Sequence, residues 1–257
     1  MPHEIGAAAA AGRAAAAAAR RAVDLIWPPR CLACGGWVGE AGLCGACWGE
    51  TRFVRHGCSA CGAPQAAPPG EGLEAEEACD DCLRAPPPWG RGRAALVYGG
   101  AARRMVLGLK HGDRLDLVPH AARWMARAGG DLLRPGALLV PVPLHWTRLA
   151  TRRCNQAALL ARALSRRGGA RHCPDLLLRA RRTPPQDGMG PEARAANVRG
   201  AIRVHPRRVA LARGRDVVLV DDVMTSGATL SACAEAVLAA GAARADVLVL
   251  ARAVRGA

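Results

Sequence analysis

The stretch Val217 to Leu230, VVLVDDVMTSGATL, constrains this chain more than any other. Four consecutive branched apolar residues, Val217 to Val220, predict a strand buried on both faces of a parallel sheet, since a half-exposed strand would alternate. Asp221 and Asp222 follow where such a strand would emerge at its C-terminal end. Thr225, Ser226, Gly227, Ala228 and Thr229 then make a short loop of small, hydroxylated and flexible residues. Beyond it, Leu230, Cys233, Ala234, Val237, Leu238 and Gly241 recur at helical spacing and make one apolar face. Ligands of open α/β sheets bind outside the carboxyl ends of the strands, where this acid pair and this loop would sit.

The chemistry suits a sugar phosphate. Backbone N–H groups of a Gly-containing loop at a helix N-terminus favour a dianionic phosphate, and Thr225, Ser226 and Thr229 add hydroxyl donors. Adjacent carboxylates can accept hydrogen bonds from vicinal ribose hydroxyls or help hold a divalent cation. The plainer alternative is an acidic helix cap after an ordinary strand, with a turn of small residues. No G-x-x-x-x-G-K-[ST] occurs, and no G-x-G-x-x-G opens a helix after a strand, so the two common nucleotide-loop motifs are excluded.

Val217 to Thr229 resembles the phosphoribosyl pyrophosphate (PRPP) signature of type I phosphoribosyltransferases. The resemblance implies that Asp221 and Asp222 contact the ribose hydroxyls and that Thr225 to Thr229 hold the 5′-phosphate. Met224 would open that PRPP-binding stretch.

Cysteines organise the first third of the chain. Cys31, Cys34, Cys44 and Cys47 form C-x2-C-x9-C-x2-C, and Cys58, Cys61, Cys79 and Cys82 form C-x2-C-x17-C-x2-C. Each C-x-x-C pair can grip one face of a tetrahedral ion from a tight knuckle, and Gly35 and Gly62 follow two of the pairs. Two structural zinc sites are expected. Sequential ribbons are favoured over an interleaved cross-brace, although the spacing fits both. Disulfides would need an export signal, and thioredoxin-like chemistry one motif beside a βαβ unit, not four in a row.

The rest reads as alternating strands and helices, hence an α/β domain with a parallel sheet. Strands are expected at 94–98, 137–142, 176–178, 217–220 and 246–250. Helices are expected at 103–111, 115–128, 155–166 and from 228. Residues 180–201, basic and rich in Pro and Gly, read as a long loop. The stiff RAPPPWG at 84–90 is the expected domain boundary. The division is then an Ala-rich tail at 1–24, a double zinc ribbon at 25–90 and a phosphoribosyltransferase-like domain at 91–257. Residues 7–19 are broken by Gly12 and Arg13 and precede Arg20 and Arg21, the wrong order for a secretory signal. No stretch is long and apolar enough to span a membrane, so no membrane insertion is expected and the cytoplasm is the expected compartment.

Composition adds one clue. The formal charge is +15, and Lys110 is the only lysine among 36 basic residues. Such a surface attracts phosphate-rich partners, although so uniform a use of arginine also reflects compositional bias. The lone lysine marks either a place needing a compact ammonium, as at a pyrophosphate, or simply a solvated helix end. Aromatics are only 3%, which argues against a base-stacking platform. His111 and His145 read as surface or capping residues, and Cys154, Cys173 and Cys233 as small packing residues. Trp146 fits either core packing or an exposed stacking surface.

Several segments together resemble the ComF family of competence-associated proteins, which join zinc ribbons to a phosphoribosyltransferase-like domain. They are LVYGG with a downstream LKHGD, VPVPLH, then Arg152, Asn155 and Gln156, then Gln186, Arg194 and Asn197. The resemblance covers roughly residues 25–252. It implies PRPP and Mg²⁺ as ligands, with Asp221 and Asp222 stabilising an oxocarbenium-like ribose. Lys110, Arg152 and Arg194 would neutralise pyrophosphate. It also implies a role in DNA uptake or nucleotide metabolism, either as a transferase or as a PRPP sensor or single-stranded-DNA adaptor without turnover. DNA-uptake or recombination proteins would then be partners. Arg153 and Cys154 stand where the family usually has Gly-Phe, which forbids close backbone approach there and leans towards lost turnover.

Overall fold

The computed structural model describes residues 28–66, 77–111, 114–144, 154–181 and 190–254. The chain divides into two compact units, residues 1–50 and 51–257. The second Cys set therefore belongs to the same unit as the sheet, and the expected boundary at 84–90 falls inside that unit.

In the smaller unit, the first Cys set folds around tight turns. Gly35 adopts φ +76° and donates its N–H to the Cys31 carbonyl at 3.0 Å, the conformation a knuckle glycine supplies without a Cβ clash. Helix α1 (Gly45–Glu50) brings in Cys47, which is buried with Cys31.

In the larger unit, α2 (Asp80–Arg84) carries Cys82, and β1 (Gly92–Val97) opens the sheet. Helices α3 (Gly100–His111) and α4 (Leu117–Ala128) follow, then β2 (Leu138–Pro141), α5 (Gln156–Ser165) and β3 (Arg171–His172). After β4 (Leu177–Arg179), α6 (Pro191–Val198), β5 (Ile202–Val204) and α7 (Val209–Ala212) come β6 (Asp216–Met224), α8 (Ala228–Ala239) and β7 (Arg244–Arg252).

Five strands make one parallel sheet in the order β1-β7-β6-β2-β3, and β4 pairs antiparallel with β5 in a separate ribbon. The central strands read as unbroken apolar runs because helices cover both faces. Val217 to Val220 and Val247 to Ala251 are all buried. Helix α8 buries Leu230, Cys233, Ala234 and Val237, and these share a core with Leu176, Leu177 and Ile202 around the small ribbon. Cys233 and Cys173 are buried packing residues, in line with their placement in the sequence.

The structure departs from the sequence reading in three places. Residues 180–201 are not one loop: PEARAANV forms α6, where a proline at the first helical position costs nothing because its N–H would be unpaired anyway. The short strands β3 and β5 had too few residues to show a period. Strand β6 does not stop at Val220 but runs on through the acid pair to Met224. Among the described residues, no helix is long and apolar enough to cross a membrane.

Candidate functional site

The sheet order places a switch point between β2 and β6. From β2 the chain moves outward to β3, and from β6 it moves the other way to β7. Where neighbouring strands send their connections in opposite directions, their carboxyl ends leave a crevice. The register shows how it opens. Strand β2 ends with Pro141 opposite Val220, and the Val142 N–H still donates to the Val220 carbonyl at 2.9 Å. Beyond that point, among the described residues, β6 stays paired only with β7, Asp221 facing Val249 and Met224 facing Arg252. The acid pair is thus held in extended geometry along an edge that β2 has just vacated.

Asp222 is buried at 7% exposure, and Asp221 is half-buried with its Oδ1 accepting the Asp222 N–H at 2.9 Å. The Lys110 Nζ, at the end of α3, stands 3.4 Å from the Asp222 Oδ2. Burial and the Asp222 charge together push the Asp221 carboxyl up to about 8, and the Lys110 ammonium works against them. Below about pH 8 the Asp221 carboxyl therefore keeps its proton beside the Asp222–Lys110 ion pair, and a bound cation or hydroxyl donors would favour its ionised form.

The hydroxyl-rich loop turns directly from β6 into α8. Gly227 caps the helix at φ +79°, a left-handed conformation that L residues rarely adopt. Thr225 and Ser226 are exposed, Gly227 is buried, and Ala228 and Thr229 are half-buried. The first-turn N–H groups of α8 have no intrahelical acceptors and point back towards this loop. Beside Ser226 a cavity of about 270 Å³ opens between Arg199 and the α8 residues Ser231 and Glu235.

Three supporting residues were not singled out for these roles by the sequence. The Arg252 Nη1, at the end of β7, donates to the Thr225 carbonyl at 2.6 Å and the Met224 carbonyl at 3.3 Å. Gln156, 3% exposed, donates to the Leu109 carbonyl at 3.1 Å and so ties down the helical turn that carries Lys110. Asn155 caps α5 by accepting the Ala158 N–H, and its Nδ2 donates to the Val142 carbonyl at 3.0 Å, anchoring the end of β2. Asn155 and Gln156 were visible only as part of a motif, and Arg252 was hidden among many arginines. Arg194 falls within α6. Arg152, Gln186, His145 and Trp146 lie outside the described residues.

The eight cysteines gather sequentially, not interleaved: Cys31, Cys34, Cys44 and Cys47 in one group, Cys58, Cys61, Cys79 and Cys82 in the other. Within each group the sulfurs lie within 4.8 Å of one another. Cys34 and Cys44 Sγ are 3.9 Å apart, and Cys61 and Cys79 Sγ are 3.8 Å apart. A tetrahedron of sulfurs at the usual Zn–S length of about 2.3 Å has edges of about 3.8 Å, so both groups fit structural zinc. The backbone prepares one thiolate in each group. Burial raises Cys31, but N–H groups of Cys34, Cys44 and Ala33 outweigh it and bring the thiol down to about 6. Burial likewise raises Cys58, and the N–H groups of Cys79, Cys61 and Ala60 bring it to about 7.

A family model for the double zinc ribbon domain matches residues 22–83, and one for the phosphoribosyl transferase domain matches residues 157–256. The chain is 30% identical over 227 residues to the DNA utilization protein YhgH of Escherichia coli K12, covering 86% of this chain and 93% of that protein. It is 27% identical over 231 residues to Competence protein F of Haemophilus influenzae, covering 87% and 97%. Among solved structures, a hypoxanthine phosphoribosyltransferase from Staphylococcus aureus aligns over 56% of this chain and 76% of its own, at 10% identity and a TM-score of 0.33.

Proposed function

The chain belongs to the ComF family, in which a double zinc ribbon accompanies a phosphoribosyltransferase domain, and from that premise we propose that its α/β unit binds PRPP together with Mg²⁺. The observation that carries this reading is the order at the carboxyl end of β6: an acid pair with Asp222 buried and Asp221 half-buried, an ammonium beside it, then a hydroxyl-rich loop capped by left-handed Gly227.

The ribose 2′- and 3′-hydroxyls donate to Asp221 and Asp222. The 5′-phosphate lies across the 225–229 loop, against backbone N–H groups and the hydroxyls of Thr225, Ser226 and Thr229. A carboxylate pair suits Mg²⁺, which is commonly held by one or two carboxylates plus substrate oxygens. When bound, the ion would withdraw charge from the pyrophosphate. In transfer, the bond from ribose C1 to pyrophosphate breaks and a bond from C1 to the acceptor nucleophile forms. Positive charge builds on the ribose between these events, and the acid pair stabilises it. Lys110, with Arg152 and Arg194 of the two basic segments, neutralises the leaving pyrophosphate. The setting is DNA uptake or nucleotide metabolism, in keeping with relatives named for DNA utilization and competence.

A second reading, a single-stranded-DNA adaptor or PRPP sensor without turnover, draws on the smaller unit. Trp37 is 63% exposed and Trp48 58% exposed, and the Arg30 guanidinium lies 4.1 Å from the centre of the Trp37 ring. Low aromatic content argued against a stacking surface, yet two tryptophans and an arginine are presented on one small ribbon.

The test is thermal. At a hundredfold excess over Kd, PRPP with Mg²⁺ should stabilise the folded unit by about 2.7 kcal/mol. That corresponds to a rise of roughly 5–10 °C in Tm. D221N/D222N should abolish the Mg²⁺-dependent part, and ribose 5-phosphate should give a smaller rise than PRPP. No shift at millimolar PRPP would overturn the transferase and sensor readings together. Pyrophosphate release with a panel of acceptor bases separates those two.

A further inference from the structure

The second Cys group and the 225–229 loop are far apart in sequence but share a wall. The Cys58–Cys61 knuckle packs against the start of β1 at backbone contact. The Gly92 N–H donates to the Ser59 carbonyl at 2.8 Å, and a Cβ on Gly92 would lie 2.2 Å from the Ala60 carbonyl oxygen. A Cβ on Gly62 would lie 2.7 Å from the Ala94 nitrogen. Only two glycines allow so close an approach.

Trp89 spans the space between knuckle and loop. Its Nε1–H donates to the Ala60 carbonyl, inside the C-x-x-C knuckle, at 2.6 Å. The far edge of the same indole closes on Gly227: a Cβ there would stand 3.1 Å from Trp89 Cη2. The ring is buried at 7% exposure in the core that also holds Met224 and Leu230. Arg252 holds the loop as well, through the Met224 and Thr225 carbonyls.

We infer that Trp89 is a positioning residue that couples metal occupancy of the Cys58–Cys61–Cys79–Cys82 group to the order of the 225–229 loop. With metal bound, the knuckle is closed, the Ala60 carbonyl is fixed, and the indole is held against Gly227. Without metal, the knuckle has no crosslink, Trp89 loses a rigid acceptor, and the left-handed cap at Gly227 loses its backing. By thermodynamic reciprocity, whatever the loop binds must tighten the hold on that metal by the same factor. Taken with the proposed reading of the loop as the PRPP phosphate site, this makes PRPP binding and zinc retention mutually supportive.

Hydrogen exchange on the full zinc-loaded chain tests the coupling without any ligand. Stripping zinc with a chelator should raise exchange of the 228–231 amides about tenfold, a typical size for coupling between sites. Exchange in the core of β2 and α5, which reports only the loss of global stability, should rise less than this. W89F keeps an aromatic ring but has no N–H and no Cη2, so exchange at 228–231 should become independent of zinc. In a second arm, PRPP with Mg²⁺ should slow release of one of the two zinc equivalents about tenfold in the parent chain and not in W89F. G227A should lose PRPP-induced stabilisation, because the left-handed φ strains any L residue there and the methyl would press on Trp89. Zinc-independent exchange at 228–231 in the parent chain, or a W89F chain that keeps the full zinc dependence, would overturn the coupling. If exchange responds to zinc while PRPP gives no melting shift, the coupling stands and the PRPP reading fails. If PRPP raises Tm while exchange ignores zinc, the reverse holds.

Discussion

Lys110, the only lysine of the chain, places its ammonium 3.4 Å from the Asp222 carboxylate. The two come from segments far apart in the sequence, one from the last turn of α3 and the other from the open end of β6. Gln156 holds the carbonyl of the residue before Lys110, so the ammonium is delivered by a fixed helical turn. Lys110→Met should weaken PRPP binding about tenfold, the size expected for losing one charge-assisted contact, about 1.4 kcal/mol. Lys110→Arg should restore only part, because a planar fork does not replace a compact ammonium. Titration calorimetry with PRPP and Mg²⁺ reads both.

The raised carboxyl of Asp221 makes stability depend on pH with a definite sign. Below about pH 4 the group is protonated in folded and unfolded chains alike and costs nothing. As pH rises from there to about 8, the unfolded chain ionises while the folded chain still holds the proton, so stability falls. Above about 8 the loss levels off. D221N removes this dependence, so the Tm advantage of D221N over the parent, measured without magnesium, should grow between about pH 5 and about pH 8 and then flatten. An advantage that is constant with pH would contradict it.

Zinc removal should affect the two Cys groups differently. Elemental analysis is expected to find about two zinc ions per chain, and Cys44→Ser or Cys79→Ser should each reduce this to about one. Cys44→Ser should leave the PRPP melting shift intact. Cys79→Ser should lower the Tm of the larger unit itself, because its knuckle is packed on β1 through Gly62 and Gly92. Equal effects of the two variants on that transition would contradict the division of roles.

Single-stranded DNA should bind with an affinity that falls with salt at a log–log slope of about −0.7 per phosphate neutralised. If bases stack on the smaller unit, Trp37→Ala should cost about 1–3 kcal/mol and leave the salt slope unchanged. Arg30→Ala should reduce the slope by less than about one unit while also weakening binding. Fluorescence anisotropy across a salt series distinguishes the two.

Much of this protein is local enough to be read from its residues in order. The apolar run at 217–220, the acid pair and the 225–229 loop lie within one strand–turn–helix unit, so chain connectivity already brings them together. The C-x-x-C pairs are likewise local, and short loops tie each pair to its neighbour. The short elements β3, β5 and α6 escaped because so few residues carry no period, and their structure comes from pairing and packing with partners elsewhere. What the residues alone determined is the parallel α/β class, the two four-cysteine groups and the order of apolar run, acid pair and hydroxyl-rich loop. Tertiary structure alone decided the rest: that β2 ends just before the level of Asp221, that Lys110 meets Asp222, that Arg252 grips the loop, and that Trp89 bridges a cysteine knuckle and Gly227. Each of those contacts joins residues distant in the chain, so it depends on strand order and register, which no local pattern encodes.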